Sequence, residues 1–133
     1  MGAGSSLDMP GSVGAIADYK DLIVWQKSFR LCKFVFALAS RLPSEDKYGL
    51  GHQLRKTSVS IPSNIAEGNG RGARKDYIKF LWIARGSACE LETQLLLMRE
   101  VANLPGDEFS EALSLVDECK RMLFSLIPSL MND

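Results

Sequence analysis

The sequence predicts an all-α protein folded as an antiparallel up-down-up-down four-helix bundle, and three observations carry that expectation. Apolar residues recur at intervals of three and four in four separate stretches. Short joins containing Pro, Gly and Ser separate the stretches. None of them alternates apolar with polar residues as a half-buried strand would. Amphipathic helices joined by short connections bury their stripes by packing as antiparallel neighbours around one core.

Helix one follows Asp21, a suitable N-cap. Leu22, Trp25, Phe29, Cys32, Phe36 and Ala39 form one apolar stripe, and Val24, Leu31, Val35, Leu38 and Leu42 form a second. Together they make an arc wider than one neighbouring helix covers, so a lone bundle would leave one stripe partly wet. That predicts a homo-oligomer. Leu42-Pro43 ends this helix, and Ser44 with Glu45 and Asp46 begins the next, placing acidic groups at the positive end of the helix dipole.

Helix two carries Leu50, Leu54, Ile61 and Ile65 on one face, and Gln53, Thr57, Ser60, Asn64, Glu67 and Arg71 on another. Within it lies the stretch Ser60-Ile61-Pro62-Ser63-Asn64-Ile65-Ala66-Glu67-Gly68. Pro62 has no N–H for the carbonyl of Ser58, so that oxygen needs another partner and a bend is expected near residues 58 to 62. Gly68-Asn69-Gly70-Arg71-Gly72 then reads as the hinge into helix three. It is no phosphate loop, because no strand precedes it and no Gly-Lys-Ser/Thr follows.

Helix three is expected from about Ala73 to Ala102, with Tyr77, Phe80, Leu81, Ala84, Ala88, Leu91, Leu95 and Met98 as its seam. Gly86-Ser87 falls mid-helix, where glycine costs about 1 kcal/mol relative to alanine, so a close approach of another helix is expected there. Leu104-Pro105-Gly106-Asp107 breaks the chain. Phe109, Ala112, Val116, Cys119, Leu123 and Leu126 define helix four, and Pro128 is expected to close it.

With 133 residues the chain has room for one domain, placed over residues 19–133 behind a Gly- and Ser-rich tail at 1–18 that is expected to be disordered. Sixteen basic and sixteen acidic residues cancel, which removes any protein-wide field for nucleic acid or lipid. The charge is nonetheless uneven: residues 51–85 carry a net +5 and residues 86–133 a net −6. Three widely spaced cysteines, Cys32, Cys89 and Cys119, read as reduced core thiols of a cytoplasmic protein. No apolar run has the roughly 20 residues of a membrane span, so no membrane partner is expected.

The residues Tyr19-Lys20-Asp21-Leu22-Ile23-Val24-Trp25, Tyr48-Gly49-Leu50, Gln53-Leu54-Arg55, Ser60 to Gly68 with Arg71, Phe80-Leu81, and Ala84-Arg85-Gly86-Ser87 with Glu90-Leu91 occur in one order. In this the chain resembles the 23S rRNA intervening sequence proteins, a family of four-helix bundles related to the accessory variability determinants of diversity-generating retroelements. The resemblance implies a ring, typically a homopentamer, of largely unassigned biochemical function. It also implies a link to RNA or DNA through a basic surface, although those relatives are strongly basic and this chain is neutral.

Candidate nucleic-acid contacts are Arg55, Lys56, Arg71, Arg74, Lys75, Lys79 and Arg85. Asn64, Glu67 and Glu90 are expected to form a buried polar network with arginine that fixes how helices two and three meet, with Glu67→Ala costing about 3 to 5 kcal/mol. Catalytic residues, cofactors and metals are not expected: His52 is the sole histidine, and no cysteine or histidine pair has metal-ligand spacing. The alternative to a nucleic-acid-binding ring is a structural assembly or scaffold whose partner is another protein.

Overall fold

The computed structural model describes residues 18–131, which are helical with no strand among them. The tail expected over residues 1–18 lies, apart from Asp18, outside the described residues. The main helices are α1 (Ile23–Ser40), α2 (His52–Gly70), α3 (Arg74–Val101) and α4 (Ser110–Met131). Each packs on the next in the chain and α4 returns to α1, while no diagonal pair packs comparably. The core between them is aliphatic, with Leu31, Leu54, Ile61, Leu81, Leu95 and Leu123 fully enclosed.

Asp21 does not cap α1. It ends a 3-10 turn, Tyr19–Asp21, whose own cap is Asp18, accepting from the Lys20 N–H at 2.9 Å. Leu22 occupies the N-cap position of α1 without a side-chain bond, and the Gln26 amide secures the turn by donating to the Lys20 carbonyl at 2.8 Å.

The two stripes of α1 have different fates. Val24, Leu31, Val35, Leu38 and Leu42 enter the core. Of the other stripe only Ala39 is fully buried; Trp25 and Cys32 are half-buried, and Phe29 and Phe36 are 49% and 42% exposed. Trp25 stacks on Phe29 at 5.1 Å between ring centroids and takes the edge of Tyr19 at 5.3 Å.

A single helical turn, Ser44–Asp46, and a π-helical turn, Lys47–Gly51, lead into α2, and Gly51 keeps helical backbone angles across the junction. The wider π turn adds a residue to the helical count. Leu50 accordingly falls out of line with Leu54, and Tyr48 projects almost fully into solvent at 90% exposure.

α2 continues through Pro62 to Gly70. Cys32 Sγ from α1 donates to the freed Ser58 carbonyl at 3.1 Å, supplying what the proline cannot. Asn64 Nδ2 bonds the Ser60 carbonyl at 2.7 Å. Gly68 is helical and buried rather than part of the hinge: a Cβ there would lie 2.7 Å from the Cβ of Phe80 and 3.3 Å from the Tyr77 backbone. Its missing side chain lets the end of α2 close on the start of α3. The chain reverses at Gly72, which takes a positive φ of 79°.

Gly86 corrects another expectation, since it is exposed and a Cβ there would meet nothing within 4 Å. No helix of the same chain approaches it. Pro128 likewise does not end α4, which runs on to Met131. The proline is exposed, so the carbonyl one turn earlier that loses its donor lies on the water-facing side of the helix.

Candidate functional site

The seven basic candidates fall into separate places. Arg71, Arg74, Lys75 and Lys79 are exposed around the α2–α3 turn, where Phe80 links two of them: the Arg71 guanidinium lies 4.9 Å from its ring centroid and the Lys79 ammonium 5.7 Å. Arg55 and Lys56 sit sixteen and fifteen residues earlier on the same helical path, about 24 Å along the axis from Arg71. There Arg55 packs over Phe36 at 5.8 Å. Arg85 lies on the outer side of α3 and α4, over Trp82 at 5.0 Å and over Phe124 at 3.3 Å. Four of the seven thus share one end of the bundle, and three do not.

The polar line of α2 differs from the expected interhelical lock. Glu67 bonds Arg71 Nε at 2.9 Å one turn along its own helix, with both side chains about half exposed. Glu90 is exposed, and its hydrogen-bond partner is Gln94, also on α3, at 3.5 Å. Neither carboxylate is buried within the chain. Of the expected line Asn64, Glu67 and Arg71, the last two are exposed, and Asn64 is half-buried and bonds its own helix. Polar bonds that do join α2 to α3 run between the hydroxyls of Ser60 and Ser87 and between the side chains of Asn69 and Tyr77.

Ion pairs between other elements were not foreseen. Lys120 on α4 reaches Glu92 on α3 at 2.9 Å, and that carboxylate raises the Lys120 pKa above its ordinary value. Lys27 on α1 pairs with Glu118 on α4 at 2.9 Å, and Arg41 at the end of α1 pairs with Glu108 before α4. Each joins residues far apart in sequence, where spacing within one helix carries no signal.

Two apolar surfaces lie on opposite sides of the closed ring of helices. Between α1 and α2 an open groove of about 600 Å³ is lined by Trp25, Phe29, Phe36, Val59 and Pro62, with Lys33 at its rim. On the outer side of α3 and α4, Trp82, Leu97 and Phe124 are 47%, 54% and 49% exposed. The sequence signal for the groove was the Trp25, Phe29 and Phe36 stripe of α1; the α3–α4 surface had none beyond single aromatics.

The thiols differ among themselves. Cys119 is buried and its pKa is pushed up to about 12, first by burial and then by the nearby Glu118 carboxylate. Cys32 is half-buried and also raised by burial, whereas Cys89 is exposed, contrary to the expectation of a core thiol. Among the described residues no three His, Cys, Asp or Glu side chains gather closely enough to hold a metal ion, and no helix is long and apolar enough to cross a membrane.

Comparison with known proteins connects this geometry to a family. The model of the 23S rRNA-intervening sequence protein family matches residues 20–125. A crystal structure of a protein of unknown function from the S23 ribosomal protein family of Bacteroides thetaiotaomicron shares the fold with a TM-score of 0.72 at 24% identity. The match covers 79% of this chain and 98% of that one. No match was found among curated proteins. With the family pattern running from the turn before α1 into the last turns of α4, the chain belongs to the 23S rRNA-intervening sequence protein family.

Proposed function

We propose that this protein is a non-enzymatic, cytoplasmic homo-oligomer. Its helices run up-down-up-down, its copies close into a ring, with five chains as the expected number, and the ring binds RNA or DNA through the α2–α3 ends. The observation that carries the reading is the grouping of Arg71, Arg74, Lys75 and Lys79 around one turn. A ring repeats that cluster once per chain on a single surface, so a net-neutral protein gains a local basic annulus, and several weak phosphate contacts act together. Arg55, Lys56 and Arg85 lie away from this annulus and are assigned to packing and to other surfaces. Free thiols at Cys32, Cys89 and Cys119 are in keeping with a reducing compartment.

A second reading, a scaffold that meets only protein, is favoured by the zero net charge and the two exposed apolar surfaces. Filter binding of RNA and DNA across salt concentrations separates the two. Phosphate contacts give log K falling linearly with log salt, by about 0.7 to 0.9 per phosphate neutralised. Lys75→Glu with Lys79→Glu should flatten that slope. Absence of binding at low salt would leave the scaffold.

A further inference from the structure

We infer that Glu67 withholds Arg71 from phosphate, so that one carboxylate sets how tightly the basic α2–α3 turn holds nucleic acid. The inference rests on the nucleic-acid reading above and assigns unequal roles to the cations of that same site.

Three contacts fix the Arg71 guanidinium on the bundle. Glu67 Oε2 accepts from its Nε at 2.9 Å, one turn back along the helical path, and the Phe80 ring lies against it, 4.9 Å from the ring centroid. Arg71 also stands at the C-cap of α2, where the negative end of the helix dipole favours a cation. The ring is there because Gly68 has no side chain: a Cβ would lie 2.7 Å from the Cβ of Phe80. Gly68 and Phe80 thus build the seat, and Glu67 holds the arginine in it. A phosphate approaching this corner meets a neutral pair rather than a cation.

Lys75 and Lys79 differ. Both are exposed, Lys79 touches the Phe80 ring at 5.7 Å, and among the described residues neither has a carboxylate partner. The other acids of this end are Asp76 in the first turn of α3, Asp18, which Lys20 engages at 3.6 Å, and Asp21 on the 3-10 turn that packs on α2. Among the described residues none of them pairs with Arg71, Lys75 or Lys79. Glu67 and Arg71 are 49% and 50% exposed, and a pair so open to water is weak. It competes with phosphate without locking the arginine permanently.

Binding of polyuridylate across salt concentrations by four proteins tests this: wild type, Glu67→Gln, Arg71→Gln and the double variant. Glu67→Gln should bind about two- to fivefold tighter at a given salt concentration. Its salt slope should steepen by about 0.7 for each arginine released to a phosphate. Arg71→Gln alone should keep the wild-type slope, and in that background Glu67→Gln should bring no gain. If Arg71→Gln flattens the slope, the arginine already meets phosphate; if Glu67→Gln gains equally in both backgrounds, the carboxylate acts only through the general field. Either result overturns the inference and leaves the nucleic-acid reading standing. No binding by any of the four at low salt overturns both.

Discussion

Cys32 and Ser58 are joined across α1 and α2 by a hydrogen bond from the thiol to the backbone carbonyl, 3.1 Å long, at the one carbonyl that Pro62 leaves without its helical donor. A proline in a helix interior is thus accommodated by a side chain 26 positions before the carbonyl it frees. The polar interruption in an otherwise apolar helix face becomes a contact between two helices.

Cys32→Ala should therefore lower stability by about 1 to 3 kcal/mol, the cost of stranding a buried acceptor. Pro62→Ala restores an N–H to that acceptor and removes a helix penalty of about 3 kcal/mol, offset by lost packing of a buried ring. In the Pro62→Ala background, Cys32→Ala should cost about 1 kcal/mol less than in the wild type. Urea melts of the four proteins give the coupling, and equal costs in both backgrounds would show that the thiol does not serve the Ser58 carbonyl.

Two glycines should respond oppositely to alanine. Gly68→Ala places a methyl group 2.7 Å from the Cβ of Phe80, an atom fixed to its backbone, so α2 and α3 must part. The expected net loss is about 1 to 3 kcal/mol. Gly86→Ala enters open space in the single chain and should gain about 0.5 to 1 kcal/mol under conditions where the protein is dissociated. Thermal melts at low protein concentration compare the two, and a shared sign would contradict the placement of one of them.

Glu67→Ala should change the stability of the isolated chain by less than about 0.5 kcal/mol. Its pair with Arg71 spans one turn of a single helix, and both groups are about half exposed, where water screens the attraction. A loss of several kcal/mol in dissociated protein would mean that the carboxylate is buried after all.

Stability should fall on the alkaline side. The folded chain holds the Cys119 proton up to about 12, while an unfolded thiol releases it near 9.0. The unfolded state then binds fewer protons, so stability is complete below pH 9 and declines by on the order of 1.4 kcal/mol per pH unit above it. Cys32 and Tyr77, both raised by burial, act in the same direction. Chemical melts at pH 8 and pH 10 check this, and Cys119→Ala should show the shallower decline. Equal declines would remove Cys119 from the account.

Much of the fold was legible because helices declare themselves by period. Leu54, Ile61, Leu81, Leu91, Val116 and Leu123 all lie on expected inner faces and all are buried. What period cannot tell is which of two apolar stripes faces inward: on α1 both Leu31 and Phe29 belonged to a plausible core, and only packing against α2 and α4 separates them. The same limit explains Glu67, whose spacing places it with Asn64 and Arg71 without saying whether that line faces a helix or water. Pro128 read as a stop because sequence gives no view of the solvent side on which its cost is small. Of the basic candidates, the four near the α2–α3 turn were close in sequence and stayed close in space, whereas Arg55 and Arg85 were grouped by charge count alone.

The proposed annulus requires that the chain assemble, so its mass in solution is the most direct test. Multi-angle light scattering on wild-type protein at micromolar concentration should report a discrete homo-oligomer, about 74 kDa for five chains of 14.7 kDa each. A single species at 14.7 kDa, unchanged on concentration, would contradict the account.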